Sequence, residues 1–367
     1  MRVAILHDYL NQFGGAERVL QVMLEMFPDA DVYTLLYDRE RTFGIFERNI
    51  KKTSFLDIPL IRRKHRAFIP FMPLASDSMT SEAPYDLILS STAGYAKGFH
   101  VQGTYHVSYC HSPLRYAWEV EYLKNLSFAP WALKEMVVEP IAHYLREWDI
   151  HASSHVNVFV ANSQYIADKI HSYYSREAQV IYPPVSDDVF YPESTDGDDG
   201  YYLMVGRLLY YKGFDVAIKA FNKMKKPLKI VGAGPEAAKL RALVKNKNIE
   251  FLTGITDAEL RTLYSRAKAL IFPQIEDFGL VAAEAQTCGL PVLAYRIGGG
   301  GEIVRHKQTG LLFNEQTPEA IEAAVREFES MKFDRAFIAR DAKRFSKAHF
   351  VNQLGNVIRS LGFTHFA

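Results

Sequence analysis

Tyr202-Leu-Met-Val-Gly-Arg-Leu-Leu-Tyr-Tyr-Lys-Gly-Phe214 decides how the chain must be read. The run Tyr202–Val205 is too short for a helix and fits a buried strand. Gly206 and Gly213 bracket a loop, and apolar residues then recur at helical spacing through Phe214–Lys223. Strand, glycine-bearing loop and helix in that order make up half of a βαβ unit.

The same cadence runs through most of the chain. It predicts strands at Val3–Leu6, Asp31–Leu35, Leu87–Ser90, His106–Cys110 and Val156–Ala161 in the first half. In the second half it predicts them at Leu228–Val231, Glu250–Leu252, Ala269–Phe272, Pro291–Ala294 and Gly310–Phe313. Amphipathic segments lie between them at Ala16–Phe27, Glu236–Lys245 and Glu319–Glu329. Such alternation implies the α/β class, with parallel sheets covered by helices on both faces.

A chain of 367 residues exceeds one ordinary core and suits two domains. The polar, turn-rich stretch Ser194-Thr-Asp-Gly-Asp-Asp-Gly200 is the expected boundary, preceded by the extended connector Tyr182-Pro-Pro-Val185. The expected organisation is an N-terminal Rossmann-like domain over 1–185 and a second over 186–345. A C-terminal helix over 346–367 is expected to return to the first domain. Two such domains are expected to face each other across a cleft, with ligands at the C-terminal strand ends.

Lys plus Arg (43) nearly balances Asp plus Glu (42), leaving a net charge of +1, which argues against a nucleic-acid partner. Cys110 and Cys288 are the only cysteines and lie far apart, so neither a disulfide framework nor a cysteine zinc site is expected. The opening apolar run is too short for a signal peptide, and no stretch approaches the ~18 apolar residues of a membrane span. A cytoplasmic protein is expected, either soluble or peripheral at the inner face of the cell membrane.

Four constellations can carry chemistry. Arg207 and Lys212 project from the loop after Tyr202–Val205; a guanidinium and an ammonium there suit a diphosphate, although solvated surface cations look the same. Glu276-Asp-Phe-Gly-Leu-Val-Ala-Ala-Glu284 follows the strand ending near Pro273. Its loop should open a helix whose free N–H groups bind hydroxyls or anions, with Glu284 two turns in to accept from vicinal hydroxyls. An acidic N-cap and a solvated glutamate are the competing reading. Gly14-Gly15 before the first helix allows backbone to approach a phosphate, or merely makes a tight turn. His111 lies just past a strand end and ahead of Pro113, placed to donate to a sugar hydroxyl or developing charge, or to be structural.

Other phosphate motifs fit less well. Gly232-Ala-Gly234 lacks the third glycine of a dinucleotide fingerprint, the strand near Leu252 has no acidic tip, and no ATPase P-loop occurs. Gly298–Gly301 reads as a flexible loop at the cleft. Ile61–Pro73 mixes Arg62, Arg63, Lys64 and Arg66 with aromatic and aliphatic residues, a pattern that can lie on an anionic membrane or form a solvated helix face.

In order and spacing, Gly14-Gly15, His111, Gly206-Arg207, Lys212-Gly213, Glu276–Glu284 and Gly310-Leu-Leu resemble the retaining glycosyltransferases of family 4, also called group 1, which have the GT-B fold. The resemblance spans nearly the whole chain. It implies that Arg207 and Lys212 hold the donor's diphosphate beside Gly206, and that Glu284 binds ribose. Glu276, with the backbone N–H groups of Phe278, Gly279 and Leu280, would meet the donor sugar; Gly14 and Gly15 would lie beside the phosphates. His111 would stand near the reaction centre, and Asp8 and Arg115 on the acceptor side. The segment His111-Ser-Pro-Leu-Arg-Tyr-Ala-Trp118 looks most like bacterial O-antigen and exopolysaccharide mannosyltransferases, which implies GDP-mannose and a glycan or polyprenyl-linked acceptor. No metal is implied; the nucleotide-sugar is a co-substrate. A UDP- or ADP-sugar donor with a soluble acceptor, or nucleotide-sugar binding without turnover, stays open.

Overall fold

The structure, a computed structural model, describes residues 1–124, 131–194 and 197–364. The chain forms two compact units: Met1–Ile181 together with residues 351–364, and Tyr182–Phe350.

The first unit is built on β1 (Val3–Leu10), β2 (Asp31–Tyr37), β3 (Ile50–Thr53), β4 (Tyr85–Thr92), β5 (Gly103–Cys110), β6 (Val158–Ala161) and β7 (Ala178–Val180). Their spatial order is β3-β2-β1-β4-β5-β6-β7, all neighbours parallel. Every residue of β1 but Tyr9 is buried, as its apolar sequence requires, and Ala4 and Leu6 share a core with Met72 and Ala75. β3 and β7 are absent from the strands read in the sequence. Both are edges, where one side needs no partner, and Ile50-Lys-Lys-Thr53 and Ala178-Gln-Val180 are accordingly polar or short. From the returning C-terminal stretch, Phe363 rests edge-on against Tyr105 with centroids 5.8 Å apart.

The second unit carries β8 (Tyr202–Val205), β9 (Leu228–Val231), β10 (Ile249–Leu252), β11 (Leu270–Phe272), β12 (Val292–Tyr295) and β13 (Gly310–Phe313). They run parallel in the order β10-β9-β8-β11-β12-β13. Alternation splits β8 between two cores: Tyr202 and Met204 meet Phe214, Ile218 and Phe221 of one helix, while Leu203 joins Ala282 and Ala283 of another on the opposite face.

The polar stretch at 194–200 is not the boundary. It lies inside the second unit, where Asp199 N–H donates to Arg266 O at 2.9 Å; Thr195 and Asp196 fall outside the described residues. The units change at Ile181/Tyr182. Val185, Phe190 and Tyr201 are already buried in the second core, so the change of core comes before the change of composition. A run of turn formers marks a surface loop, not a switch of cores.

Each sheet grows outward in both directions from its first strand, so the chain reverses at β1/β4 and at β8/β11. Loops leaving the C-terminal ends of those strands diverge to opposite faces and leave a crevice between them.

Candidate functional site

At the β8/β11 switch two loops touch. The loop after β8 is anchored sideways: Gly206 N–H donates to Val231 O at 3.0 Å and Leu208 N–H to Ala233 O at 2.9 Å. A 3-10 turn at Tyr210–Lys212 then leads into Gly213, whose φ of 68° suits glycine. A Cβ on Gly213 would stand 2.9 Å from Pro273 Cγ, so the β8 loop presses directly on the loop leaving β11. The result is a close ion pair between Lys212 Nζ and Glu276 Oε1, with both side chains largely buried. Arg207, from the same β8 loop, has an exposed side chain.

Glu276 is held from behind. Gln274 Nε2 lies 3.5 Å from its Oε1, and Gly299 N–H donates to its main-chain oxygen at 2.8 Å. Gly298–Gly301 is therefore not a flexible loop. Gly298 has φ 85°, and a Cβ there would come within 2.7 Å of Glu276 O; a short helix, Gly299–Ile303, follows at once with Gly299 and Gly300 buried. The glycines allow close backbone approach and do not supply mobility.

Gly279 caps the helix Leu280–Thr287 without a side-chain hydrogen bond to its first turn, while the N–H groups of Ala282 and Ala283 donate to Gly279 O. Phe278 contributes backbone only, since its ring is buried between Tyr182 and Phe345. Glu284, about one turn along instead of the two expected, is buried at 6% exposure and accepts from Tyr264 Oη at 3.4 Å. Burial, reinforced by Glu284, pushes the Cys288 thiol up to about 12.

In the first unit, the β1/β4 switch gathers His7, Ser91 and His111. His7 sits opposite Ser91 in the register, and His111 follows directly after β5. Ser91 Oγ is 2.8 Å from His111 Nε2 and 3.2 Å from His7 Nδ1. His111 is also fixed through its backbone: its N–H donates to Thr92 O at 2.7 Å and its carbonyl accepts from Asn162 Nδ2 at 3.0 Å. Burial, then the neighbouring His7, lowers the His111 pKa to about 3, so the ring is neutral at pH 7.

Several residues expected at the site are employed otherwise. Asp8 is engaged within the first unit. Its carboxylate is buried and accepts from Thr92 Oγ1 (3.2 Å) and the N–H groups of Ala93 (2.6 Å), Tyr95 (3.0 Å) and Ala96 (2.5 Å), shaping the loop after β4. Gly14 N–H, at the start of the helix Gly15–Met26, already donates to Glu17 Oε2 at 2.8 Å, which occupies a donor expected for phosphate. Arg115 turns to Ser112 Oγ at 3.4 Å and lies over the Tyr122 ring. Of the basic segment, Arg62 is withdrawn: its Nε pairs with Asp57 Oδ1 at 2.6 Å. Arg63, Lys64 and Arg66 are exposed.

Sequence reasoning missed Gln274, Ser91, His7 and Glu17. Each is a buried polar side chain: Gln274 and Ser91 at or just beyond a strand end, His7 within β1, and Glu17 in the first turn of the helix Gly15–Met26. It also passed over Asp196-Gly-Asp198, whose spacing recurs in metal sites. Asp198 Oδ1 accepts from Gly200 N–H at 2.9 Å in a turn, and Asp196 lies outside the described residues. Among the described residues no three His, Cys, Asp or Glu side chains cluster as a metal site, and no helix is long and apolar enough to cross a membrane.

A family model described as Glycosyltransferase Family 4 matches residues 13–189, and one described as Glycosyl transferases group 1 matches residues 187–347. An uncharacterised glycosyltransferase of Methanocaldococcus jannaschii is 30% identical over 201 residues, 54% of this chain and 56% of that protein. The O-antigen chain mannosyltransferase C of Escherichia coli is 24% identical over 175 residues, 44% of this chain and 47% of that protein. The first curated relatives are thus matched over about a third to just over half of their length. The crystal structure of Anabaena HepE in complex with UDP superposes with a TM-score of 0.70 at 17% identity, covering 98% of this chain and all of that one.

Proposed function

Because the chain belongs to the group 1 glycosyltransferases and is a transferase of the GT-B fold, we propose that it transfers mannose from GDP-mannose, with retention, to a glycan or lipid-linked glycan acceptor in surface polysaccharide synthesis. The observation that carries the reading is the meeting of Lys212 and Glu276 across the β8/β11 switch. It puts a cation for phosphate and a carboxylate for sugar hydroxyls side by side, the two chemistries that a nucleotide-sugar presents together.

Arg207 and Lys212 hold the diphosphate and take up the charge that builds on it as the glycosidic bond breaks. N–H groups at the start of Leu280–Thr287 and the Glu276 carboxylate hold the sugar, and Glu284 takes the ribose hydroxyls. A double displacement would need a carboxylate beneath the anomeric carbon and a second carboxyl as acid. Glu276 is already engaged with Lys212, which favours same-face substitution. The acceptor oxygen bonds to the anomeric carbon as the phosphate leaves, and its proton passes to a leaving phosphate oxygen.

Mannose is supported by the segment His111–Trp118 and by the Escherichia coli mannosyltransferase among the relatives. A membrane-side acceptor is supported by the face bearing Arg63, Lys64 and Arg66, where Phe55, Ile58, Leu60, Phe71 and Leu74 are all exposed. Thermal-shift screening against GDP-, UDP- and ADP-sugars tests the donor: a ligand at a hundred times its Kd adds about 2.7 kcal/mol of stability. A shift with UDP-sugars alone overturns mannose from GDP-mannose. Inverted anomeric configuration in the product overturns retention.

A further inference from the structure

A buried line of polar groups runs to His111 and has a direction. Glu17 Oε1 lies 3.8 Å from His7 Nε2, His7 Nδ1 lies 3.2 Å from Ser91 Oγ, and Ser91 Oγ lies 2.8 Å from His111 Nε2. The Glu17 and His7 side chains are 4% and 3% exposed, and Ser91 is 1% exposed. Both ends are fixed, Glu17 by Gly14 N–H on its other oxygen and His111 by its backbone bonds to Thr92 and Asn162. His111 Nδ1 has no partner among the described residues, and the ring is half-buried.

A serine hydroxyl owns one proton, so it can donate to only one of the two ring nitrogens that flank it; the other must donate to the serine. Two arrangements are therefore open to singly protonated rings. In one, His7 carries its proton on Nδ1 and turns a bare lone pair on Nε2 toward the Glu17 carboxylate, a repulsive contact. In the other, His7 Nε2–H faces Glu17, Ser91 donates to His7 Nδ1, and His111 Nε2–H donates to Ser91. The carboxylate selects the second, and a low-dielectric surrounding sharpens the choice.

We propose that Glu17, His7 and Ser91 are positioning residues that hold the proton of His111 on Nε2, making its Nδ1 an acceptor for a hydroxyl of the transferred sugar. The ring is then read as an acceptor, opposite to the donor role that its position in the sequence suggests. It selects a neutral hydroxyl and disfavours a sugar carboxylate, which would set lone pair against lone pair. The identity of that hydroxyl rests on the glycosyltransferase reading; the direction of the line does not.

The test is nitrogen-15 NMR of the full chain labelled at histidine, with His111 assigned by the signals lost in His111→Asn. The expected wild-type spectrum at neutral pH has His111 protonated on Nε2 and bare on Nδ1. Glu17→Gln keeps an oxygen for Gly14 N–H but removes the charge, and it should give a mixture of both tautomers at His111. Should Glu17→Gln fail to fold, Ser91→Ala should give the same mixture. Wild-type His111 protonated on Nδ1, or variants that leave its tautomer unchanged, would overturn the proposal. No donor is needed for the spectra, so a failed transfer assay and a failed tautomer assignment are separate results.

Discussion

Lys212 and Glu276 form one ion pair, yet each serves a different part of the proposed donor. Glu276 therefore competes with phosphate for the ammonium. Glu276→Gln should lower transfer by about 10- to 100-fold, the worth of a charge-assisted hydrogen bond. It should leave GDP affinity equal or up to about fivefold tighter, since a partly exposed pair contributes ~0–1 kcal/mol. Calorimetric titration with GDP beside a transfer assay reads both. Parallel losses in the two would show that Glu276 only props up Lys212.

Neutral replacement of the cations should act on the nucleotide itself. Arg207→Gln and Lys212→Gln should each reduce kcat by roughly 10²–10³, as removal of one preorganised donor does. GDP binding should weaken in both. If kcat and GDP affinity survive the double replacement, the diphosphate is held elsewhere.

Glu284 is buried in the helix Leu280–Thr287 with Tyr264 Oη 3.4 Å from its carboxylate, and the ribose of the proposed donor would add hydroxyl donors to it. Glu284→Gln should weaken GDP by about 10- to 100-fold. A GDP analogue lacking its ribose hydroxyls should bind wild type and variant alike, because the coupling disappears when either partner is gone. An undiminished penalty with that analogue would make Glu284 structural.

How far the sequence speaks depends on what a residue must satisfy. β8, β9 and β13 match their sequence ranges residue for residue, because their apolar runs begin and end at turns. The edge strands β3 and β7 were illegible, since an edge asks little of composition. Lys212 and Glu276 were legible as candidates because motif spacing located them; their contact was not, as it depends on packing between Gly213 and Pro273. The engagement of Asp8 was illegible for the same reason: a carboxylate near a strand end gives no sign that the N–H groups of Ala93, Tyr95 and Ala96 fold around it.

Acid should destabilise the first unit before carboxylates titrate. Burial lowers His106 and His111 from an ordinary 6.5 to about 3, and burial lowers His65 to about 4. As pH falls below 6.5 the unfolded chain takes protons that the folded chain refuses, so stability is full above 6.5 and is lost toward the folded values. His106, 7% exposed and bonded to Ser90 Oγ at 2.8 Å, should alone contribute a slope of about 1.4 kcal/mol per pH unit. Urea midpoints measured between pH 7 and about 4.5, above the ordinary carboxylate range, should fall steadily. His106→Gln should flatten the fall; a flat wild-type profile would contradict it.

The exposed face at 55–74 should prefer anionic membranes. Exposed Phe55, Leu60, Phe71 and Leu74 offer apolar area, and Arg63, Lys64 and Arg66 stand beside them, each worth about 1 kcal/mol near an anionic surface. Arg62 is spent on Asp57 and should contribute nothing. Co-sedimentation with phosphatidylglycerol vesicles should therefore exceed that with phosphatidylcholine and weaken with salt. Reversing Arg63, Lys64 and Arg66 together to glutamate should abolish it. Leu60→Ser with Phe71→Ser should weaken binding to both lipids, because the apolar contribution does not depend on headgroup charge. Binding that ignores both sets of changes would move the membrane contact off this face and leave the acceptor without its proposed route to the enzyme.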